Sequence, residues 1–311
     1  MTTKVFIDGK AGTTGLRIYE RLSSRSDIEL LTLSDEERKN PVRRKEMLNG
    51  CDIAFLCLPD DAAREAITLI DNPNVTVLDT STAHRTLPDW AYGFPELGPA
   101  FRHKIENSRR IAVPGCHAGG FIALVQPLVA AGLIAADLPL SCHSITGYSG
   151  GGKKMIAEYE AEGRDVKYAA PRQYGLTQQH KHLKEMAAIT GLTQAPIFSP
   201  VVADFYSGMV MTVPLFRSQL RKDAGAAELK ALYRELYRGP VVRFCDDIAP
   251  DGMIGANALS GSDAMEITVA GNEDRILLIA RYDNLGKGAS GAAVECMNIA
   301  MKIAPETGLS L

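Results

Sequence analysis

Short apolar runs alternate with amphipathic segments along the first third of the chain. The runs are rich in β-branched and aliphatic residues, and the segments between them carry apolar residues at helical spacing. Such alternation is typical of an α/β fold with a parallel, doubly wound sheet. We expect strands at 4–8, 28–33, 52–58, 75–81 and 110–114, and helices near 14–24, near 41–49 and from Asp60 onward.

The hydrophobic pattern changes after about residue 140. Longer runs with period-two alternation appear at 209–216, 265–271 and 275–283, and fewer helical segments separate them. This pattern predicts a second, α+β domain with an antiparallel sheet. The apolar stretch Phe121–Leu138 is interrupted by polar residues, proline and glycine, so it indicates a buried helix rather than a membrane span.

Composition narrows the function classes. The chain has 311 residues, Lys+Arg 34, Asp+Glu 37 and a net charge of -3, without a basic run suited to nucleic acid or an anionic membrane. We therefore expect no nucleic-acid or membrane partner. The first residues lack the pattern of a secretory signal, and the six cysteines are scattered. Both features favour reduced thiols and a cytoplasmic protein.

A glycine cluster follows the first predicted strand. In FIDGKAGTTGLRIYERL, Gly9, Gly12 and Gly15 precede a helix whose start includes Thr13 and Thr14. Glycines at such a turn let a pyrophosphate approach the free N–H groups of the helix N-terminus. The spacing differs from the more familiar G-x-G-x-x-G, and a purely structural turn is the alternative.

The next strand ends in residues that bear on cofactor choice. Ser34 stands where an NAD enzyme carries an acidic residue for the ribose, and Arg38 and Lys39 follow it. A hydroxyl with basic neighbours favours the 2'-phosphate of NADP(H). Asp35 argues for NAD instead, and an ordinary solvated loop is the other interpretation.

One cysteine has the sequence setting of a nucleophile. In IAVPGCHAGGF (111–121), Cys116 lies between a strand-like run and a glycine-rich helix start. A helix N-terminus lowers the pKa of a thiol and offers N–H groups to a developing oxyanion. Cys57, Cys142 and Cys296 lie within apolar patterns, where a core role is the better interpretation.

A thiolate nucleophile needs an acid/base partner, and the polar segment YGLTQQHKHLKEM (174–186) offers several candidates. They are Tyr174, His180, His182 and Glu185. If both histidines are helical, only one faces a site; in an extended stretch both can. An ordinary polar helix start is the alternative. The spacing of Cys and His does not suit a structural zinc site, so we expect no metal.

These motifs together resemble the N-acetyl-gamma-glutamyl-phosphate reductases of arginine biosynthesis, in their shorter type 2 form. A nucleotide-binding half joined to a nucleophilic cysteine is typical of aldehyde and acyl-phosphate dehydrogenases. The stretches that carry the narrower resemblance are GKAGTTGL, LDTSTAHR with YGFPEL, VPGCHAGGF, YGLTQQHKHLKEM and DNLGKGASGAAVECMN. Longer family members have Asn-Pro-Gly-Cys-Tyr-Pro-Thr around the cysteine; this chain has Val113–Gly119 there, which supports the type 2 form.

The resemblance implies NADPH-dependent reductive dephosphorylation of N-acetyl-glutamyl 5-phosphate to N-acetyl-glutamate 5-semialdehyde, with release of phosphate. It also implies a glyceraldehyde-phosphate dehydrogenase-like fold and a homodimer or homotetramer. A Rossmann-type NADP-binding domain would span 1–115, with a C-terminal helix at 286–311 packing back on it. An α+β domain at 116–285 would serve catalysis, substrate binding and oligomerisation.

The resemblance also assigns roles to individual residues. Cys116 is the nucleophile, and His180, ahead of His182, is the acid/base, with Tyr174 and Glu185 as polar surroundings. The role of His117 stays open between lining the substrate pocket and capping the helix. The substrate-side candidates are Ser81, Arg85, Ser149, Lys153 and His117. The cofactor-side candidates are Gly9, Gly12, Thr13, Thr14, Gly15, Ser34, Arg38, Asn284, Lys287 and Gly288. Arg85 as a surface arginine and 284–288 as a plain strand-to-helix turn are the structural alternatives.

Two other functions remain open at this point. A sibling reductase would act on aspartyl phosphate or an aminoadipate derivative, a choice that pocket shape decides. A catalytically silent NADP-binding regulator on the same fold would bind cofactor without a reactive cysteine.

Overall fold

The computed structural model describes residues 2–34, 36–221 and 224–311. The chain forms two compact units. The first comprises the segment up to Pro95, Pro99–Gly115 and Ala289–Leu309; the second comprises Glu96–Gly98, Cys116–Gly288 and Ser310–Leu311.

The strands are β1 (Thr3–Asp8), β2 (Ile28–Leu31), β3 (Ile53–Leu56), β4 (Thr76–Asp79), β5 (Ala91–Tyr92), β6 (Arg110–Ala112), β7 (Ser141–Gly147), β8 (Arg172–Gln173), β9 (Ile197–Ala203), β10 (Met209–Phe216), β11 (Val242–Phe244), β12 (Met265–Gly271) and β13 (Arg275–Tyr282). The helices are α1 (Thr13–Ser23), α2 (Pro41–Gly50), α3 (Asp60–Thr68), α4 (Pro99–Asn107), α5 (Cys116–Ala130), α6 (Gly152–Glu160), α7 (His182–Thr190), α8 (Ala226–Leu236) and α9 (Gly291–Ala300).

The first unit is built on a parallel sheet of order β2-β1-β3-β4-β6-β5. Strand β1 contributes to two apolar cores: Val5 and Ile7 pack with residues of α1 and α9, whereas Phe6 packs with residues of α2 and α3. This alternation follows from the two-residue period of a strand. The predicted α/β fold with a doubly wound parallel sheet is confirmed.

The C-terminal helix is shorter than predicted. Residues Gly286–Ser290 form a π-helical turn, and α9 ends at Ala300 instead of continuing to residue 311. Lys302 adopts a left-handed backbone conformation with φ 58°, which stops the helix, and Pro305 follows.

The second unit contains a seven-stranded sheet of order β11-β12-β13-β10-β7-β9-β8. The sheet is mixed, because β7 pairs in parallel with β9 and β11 pairs in parallel with β12. The prediction of an antiparallel sheet was therefore wrong for these pairs. Parallel neighbours need a long connection, and the segment between β7 and β9 supplies one with α6 and α7.

Helix α5 begins the second unit and is buried along most of its length. It packs against β10, β13, α7 and α8. Within the three described stretches of the chain, no helix combines the length and the hydropathy needed to cross a membrane.

Candidate active site

The glycine turn between β1 and α1 is fixed by close backbone packing. Gly9 has φ +88°, and a Cβ there would lie 2.2 Å from the carbonyl oxygen of Cys57. Only glycine fits this position. Gly12 is the N-cap of α1 and has no side chain to cap it, while Thr13 and Thr14 form the first helical positions. The amide groups at this helix start suit a phosphate group.

A cavity of about 950 Å³ adjoins this turn in the first unit. Its lining includes Gly9 together with the cationic side chains Lys10, Arg38, Lys39 and Arg44. The lining also contains the carboxylates Asp8 and Glu65, and because the four cations outnumber them, the cavity suits a dinucleotide carrying several phosphates.

The charges in this cavity include groups that sequence reasoning missed. Arg44 is buried and forms a 2.9 Å ion pair with Asp8, and burial raises the pKa of Asp8 despite this partner. Ser34 is exposed, and its hydroxyl donates to Glu37 at 3.0 Å. Asp35, the residue that argues for NAD, lies outside the described residues.

Cys116 is the first residue of the fifteen-residue helix α5 and is half-buried. The fully buried Tyr282 donates its hydroxyl to the Cys116 carbonyl oxygen at 2.6 Å. Gly288 lies directly against the cysteine, because a Cβ on Gly288 would be 3.1 Å from the Cβ of Cys116. The sequence setting predicted for Cys116, at a helix N-terminus, is present in the structure.

Three other cysteines have the environment of core residues. Burial raises the pKa of Cys51, Cys57 and Cys142 to about 12. A thiol with such a pKa is almost wholly protonated at neutral pH and is a poor nucleophile.

His117 lies at the centre of a ring cluster in the second unit. Its Nδ1 is 2.7 Å from the hydroxyl of Ser144, and its Nε2 is 2.7 Å from the hydroxyl of Tyr174. The rings of His180 and His182 lie 5.8 and 5.7 Å from its centroid. Burial first, and then the charges of His180 and Lys181, lower the pKa of His117 to about 3. Both ring nitrogens have hydrogen-bond partners within the protein, so the structure shows no nitrogen of this ring open to a substrate.

The segment 174–186 converges on this cluster. Helix α7 begins at His182, so His180 precedes the helix and is not opposed to His182 by helical periodicity; their ring centroids are 4.8 Å apart. The backbone N–H of His182 donates to Nδ1 of His180 at 3.2 Å. The pKa of His180 is lowered by burial and by the charge of Lys181. Glu185 is buried on α7.

The candidates at 284–288 belong to a loop that lies next to Cys116. Asn284 is buried, donates to the Ser149 hydroxyl at 3.0 Å and accepts from the N–H of Gly208 at 2.9 Å. Lys287 is buried and forms a 2.8 Å ion pair with Glu96. Asn284 and Lys287 thus make contacts within the second unit, and their contact with the cofactor stays a prediction.

Backbone N–H groups at the start of the stretch 147–154 bond to protein carbonyl groups. The backbone N–H of Ser149 donates to the Tyr206 carbonyl at 3.0 Å, and that of Gly147 donates to Gly208, so neither is available as a substrate donor. Lys153 is exposed in the first turn of α6.

Ser81 and Arg85 lie in the first unit, buried in its structure. The Ser81 hydroxyl donates to Asp79 at 2.7 Å. Arg85 donates to the carbonyl oxygens of Val113 and Thr80, each at 2.8 Å. Arg85 is 7% exposed, so the surface-arginine alternative was wrong; its role toward a substrate anion stays a prediction.

Two residues that contact the site carry no recognisable signal in the sequence. Ser144 and Tyr282 reach Cys116 or His117 from strands 27 and 166 residues away. Among the described residues, no group of three or more His, Cys, Asp or Glu side chains is placed to hold a metal ion.

Comparisons with known proteins agree with this fold. Residues 4–108 match the family model described as semialdehyde dehydrogenase, NAD binding domain, and residues 116–284 match semialdehyde dehydrogenase, dimerisation domain. A crystal structure of aspartate semialdehyde dehydrogenase II from Vibrio cholerae superposes with a TM-score of 0.73 at 17% identity, covering 97% of this chain and 99% of that one. An aspartate semialdehyde dehydrogenase with NADP from Candida albicans gives a TM-score of 0.64 at 14% identity, covering 97% and 99%. At such identities the likeness shows the fold alone.

The fold, the cysteine at the start of α5 and the two domain matches define a semialdehyde dehydrogenase. Curated relatives narrow this class. N-acetyl-gamma-glutamyl-phosphate reductase 2 of Nostoc sp. is 43% identical over 98% of this chain and 99% of its own. N-acetyl-gamma-glutamyl-phosphate reductase of Brucella ovis is 46% identical over 96% and 99%. The chain belongs to the N-acetyl-gamma-glutamyl-phosphate reductase family, as its motifs predicted.

Proposed function

We propose that this chain catalyses the NADPH-dependent reductive dephosphorylation of N-acetyl-L-glutamyl 5-phosphate to N-acetyl-L-glutamate 5-semialdehyde, a step of arginine biosynthesis. The observation that carries the proposal is Cys116 at the first position of α5, followed directly by His117, whose ring lies 5.8 and 5.7 Å from the rings of His180 and His182. Relatives named for this reaction are 43 to 46% identical over nearly the whole chain, which supports the substrate assignment.

Cys116 acts as the nucleophile. The positive end of the α5 dipole stabilises its thiolate, which attacks the acyl carbon of the substrate. The bond from that carbon to the phosphate oxygen breaks, inorganic phosphate leaves, and a thioester remains on Cys116. Bound NADPH supplies the hydride that reduces the thioester carbon. When the carbon–sulfur bond then breaks, the aldehyde is released and the Cys116 thiolate is regenerated.

His180 serves the substrate oxygen as a proton donor. Because its Nδ1 accepts the His182 amide, the neutral ring carries its proton on Nε2. The lowered pKa keeps His180 neutral at pH 7, so Nε2–H is a hydrogen-bond donor to the oxyanion that forms on the acyl carbon. His182, Tyr174 and Glu185 form its polar surroundings.

The cofactor is assigned to the first unit. The turn formed by Gly9, Gly12, Thr13, Thr14 and Gly15 would hold the pyrophosphate. Ser34 and Arg38 would hold the 2'-phosphate of NADP(H), with Arg44 as a further cation in the same cavity. We assign 1–115 with the C-terminal segment to this binding domain and 116–285 to the catalytic domain.

For the substrate phosphate, the exposed Lys153 at the start of α6 is the candidate that its placement favours among those named. Ser81, Arg85, Ser149 and His117 already bond to protein groups and would act by supporting the site. Asn284, Lys287 and Gly288 would hold the loop against Cys116.

We also propose a homodimer or homotetramer and a cytoplasmic location. The family described as a dimerisation domain covers residues 116–284, which supports self-association. All six cysteines are free, as is typical of a reducing compartment.

The reverse reaction provides the test. NADP, phosphate and N-acetyl-glutamate 5-semialdehyde should yield NADPH, and turnover should depend on phosphate. Parallel assays with aspartate semialdehyde and aminoadipate semialdehyde identify a sibling activity, and faster turnover with either would overturn the substrate assignment.

Cys116→Ser provides the mechanistic control. The variant should lose NADPH formation while its melting temperature stays near that of the wild type. Activity that survives in a folded Cys116→Ser protein would rule out the thioester route. Slow alkylation of Cys116 by iodoacetamide at neutral pH, together with NADP binding, would favour a silent regulator.

A further inference from the structure

A chain of three buried or half-buried polar groups connects β7 to the site. It runs from the Ser144 hydroxyl to His117 Nδ1 and from His117 Nε2 to the Tyr174 hydroxyl, with both distances 2.7 Å. Ser144 is fully buried and His117 is 4% exposed, whereas Tyr174 is half-buried. His117, the middle group of this chain, directly follows Cys116 in the first turn of α5, and Tyr174, its end, interacts electrostatically with Cys116.

The direction of the two hydrogen bonds follows from the buried serine. Within the described parts of the chain, the Ser144 hydroxyl has one hydrogen-bond partner, His117 Nδ1. A buried hydroxyl proton without an acceptor is costly, so Ser144 donates its proton to Nδ1. A neutral imidazole has one donor and one acceptor, and the proton of His117 is therefore on Nε2.

The tautomer determines what the tyrosine presents. If Nε2–H donates to the Tyr174 oxygen, the Tyr174 hydroxyl proton is free to point away from His117. The opposite direction would bind that proton to His117 and leave the buried Ser144 proton without an acceptor. Burial, followed by the charge of Cys116, raises the pKa of Tyr174, so the phenol keeps its proton and Tyr174 feels the Cys116 charge.

We propose that Ser144 fixes His117 in the Nε2-protonated tautomer, so that Tyr174 directs its hydroxyl proton to the reacting group at Cys116. Tyr174 is then a second proton donor beside His180, and it stabilises the thiolate or the substrate oxyanion. His117 and Ser144 are positioning residues that act through Tyr174. The proposal deepens the proposed function and rests on Cys116 as its nucleophile, although the tests below need neither substrate nor NADPH.

The first test observes the tautomer directly. Nitrogen NMR of histidine-labelled wild-type protein, with His117 assigned by comparison with His117→Gln, should show Nε2 protonated and Nδ1 unprotonated at neutral pH. A proton on Nδ1 would overturn the proposal. This measurement needs no change at Ser144, so it holds even if a serine variant folds poorly.

The second test measures the thiolate through the pH dependence of Cys116 alkylation by iodoacetamide. Tyr174→Phe should raise the apparent pKa of Cys116 by about one unit. At a pH below that pKa, the fraction of Cys116 present as thiolate should therefore fall about tenfold. Ser144→Ala should raise it in the same direction by a smaller amount, because its His117 can adopt either tautomer.

Thr146→Val is the matched control. It removes a buried hydroxyl from the same strand, one that bonds to the adjacent Gly147 carbonyl and not to His117. Ser144→Ala and Thr146→Val both keep the titratable groups that lie around His117 and Tyr174: Cys116, His180, Lys181 and His182. An unchanged pKa in Tyr174→Phe, or an equal shift in Thr146→Val and Ser144→Ala, would contradict the proposal.

Failure of the proposed function gives a different result. A chain that reduces another acyl phosphate, or none, would still show the predicted tautomer and thiol pKa shifts while failing the assay with N-acetyl-glutamate semialdehyde. A fully active enzyme that lacks those shifts would contradict the roles proposed for Ser144, His117 and Tyr174 and would leave the proposed function standing.

Discussion

The imidazole of His117 is buried, and burial disfavours its charged form. Its pKa is about 3 in the folded protein against 6.5 for the ordinary side chain. The unfolded chain therefore binds a proton between these pH values that the folded chain does not. The stability tied to His117 is present above about pH 6.5 and is lost as the pH falls toward 3.

We expect this linkage to be measurable with His117→Gln. Fully developed, one proton changes the free energy of unfolding by about 1.4 kcal/mol per pH unit. Denaturant titrations between pH 6.5 and 4 should show a shallower loss of stability in His117→Gln than in the wild type. His103→Gln, at an exposed histidine, should keep the wild-type slope. If the free energy of unfolding fell with pH at the same rate in all three proteins, His117 would not be a buried neutral group.

Gly288 limits the space around the nucleophile. A methyl group there would lie 3.1 Å from the Cys116 Cβ and 3.0 Å from the Asp283 carbonyl oxygen, so the cysteine or its loop must shift by tenths of an ångström. Gly288→Ala should lower kcat/KM about tenfold, less than the 10²-fold cost of a 1 Å displacement.

Gly50→Ala is the control for Gly288→Ala, since its methyl group would meet nothing within 4 Å. It should retain wild-type activity. Wild-type kcat/KM in Gly288→Ala would show that the loop yields without moving Cys116.

At the scale of elements, two helix starts define the chemistry of this chain. The N-terminus of α1 follows the glycine turn beside the cofactor cavity, and the N-terminus of α5 carries Cys116. Both are positive ends of helices, suited to phosphate in one case and to a thiolate in the other. In the proposed mechanism, the same backbone property would serve both cofactor binding and nucleophile activation.

Arg38 tests the assignment of the cavity to NADP. It lines the cavity and stands in the loop after β2, where the ribose of a dinucleotide is held in this type of fold. Arg38→Ala should weaken NADP binding about tenfold by removing one charge-assisted contact. NAD, which lacks the 2'-phosphate, is the internal control and should bind as before. Equal weakening of both dinucleotides, measured by calorimetry, would argue against a 2'-phosphate role.

Local patterns predicted these helix starts, because each start depends on residues that are adjacent in the sequence. Strand period and glycine spacing indicated the β1–α1 turn, and the apolar run after Cys116 indicated α5. Contacts such as Ser144 with His117 depend on how distant strands meet a helix, and no nearby residue encodes them. The same holds for the contact of Arg85 with the carbonyl oxygen of Val113, 28 residues further along the chain.

At the scale of the whole molecule, the two faces of the mixed sheet in the second unit differ: one face contacts His117, and the other exposes apolar side chains. Ser144 is fully buried on the face that meets His117, while its neighbour Ile145 is 44% exposed on the opposite face. Strand register places Ile197, Phe216 and Leu277 on that opposite face as well. These four large apolar side chains are exposed to water, and burying them favours association.

We expect a second copy of the chain to cover this face, since the family model spanning the sheet is described as a dimerisation domain. Ile145→Glu would place a charge in the apolar interface, where it loses hydration without gaining a partner. Sedimentation should show the wild type at about twice 33.6 kDa or a larger multiple, and Ile145→Glu shifted toward 33.6 kDa. Val166→Glu, at a valine that is 85% exposed outside the sheet, should sediment as the wild type. An unshifted Ile145→Glu assembly would place the interface elsewhere on the chain.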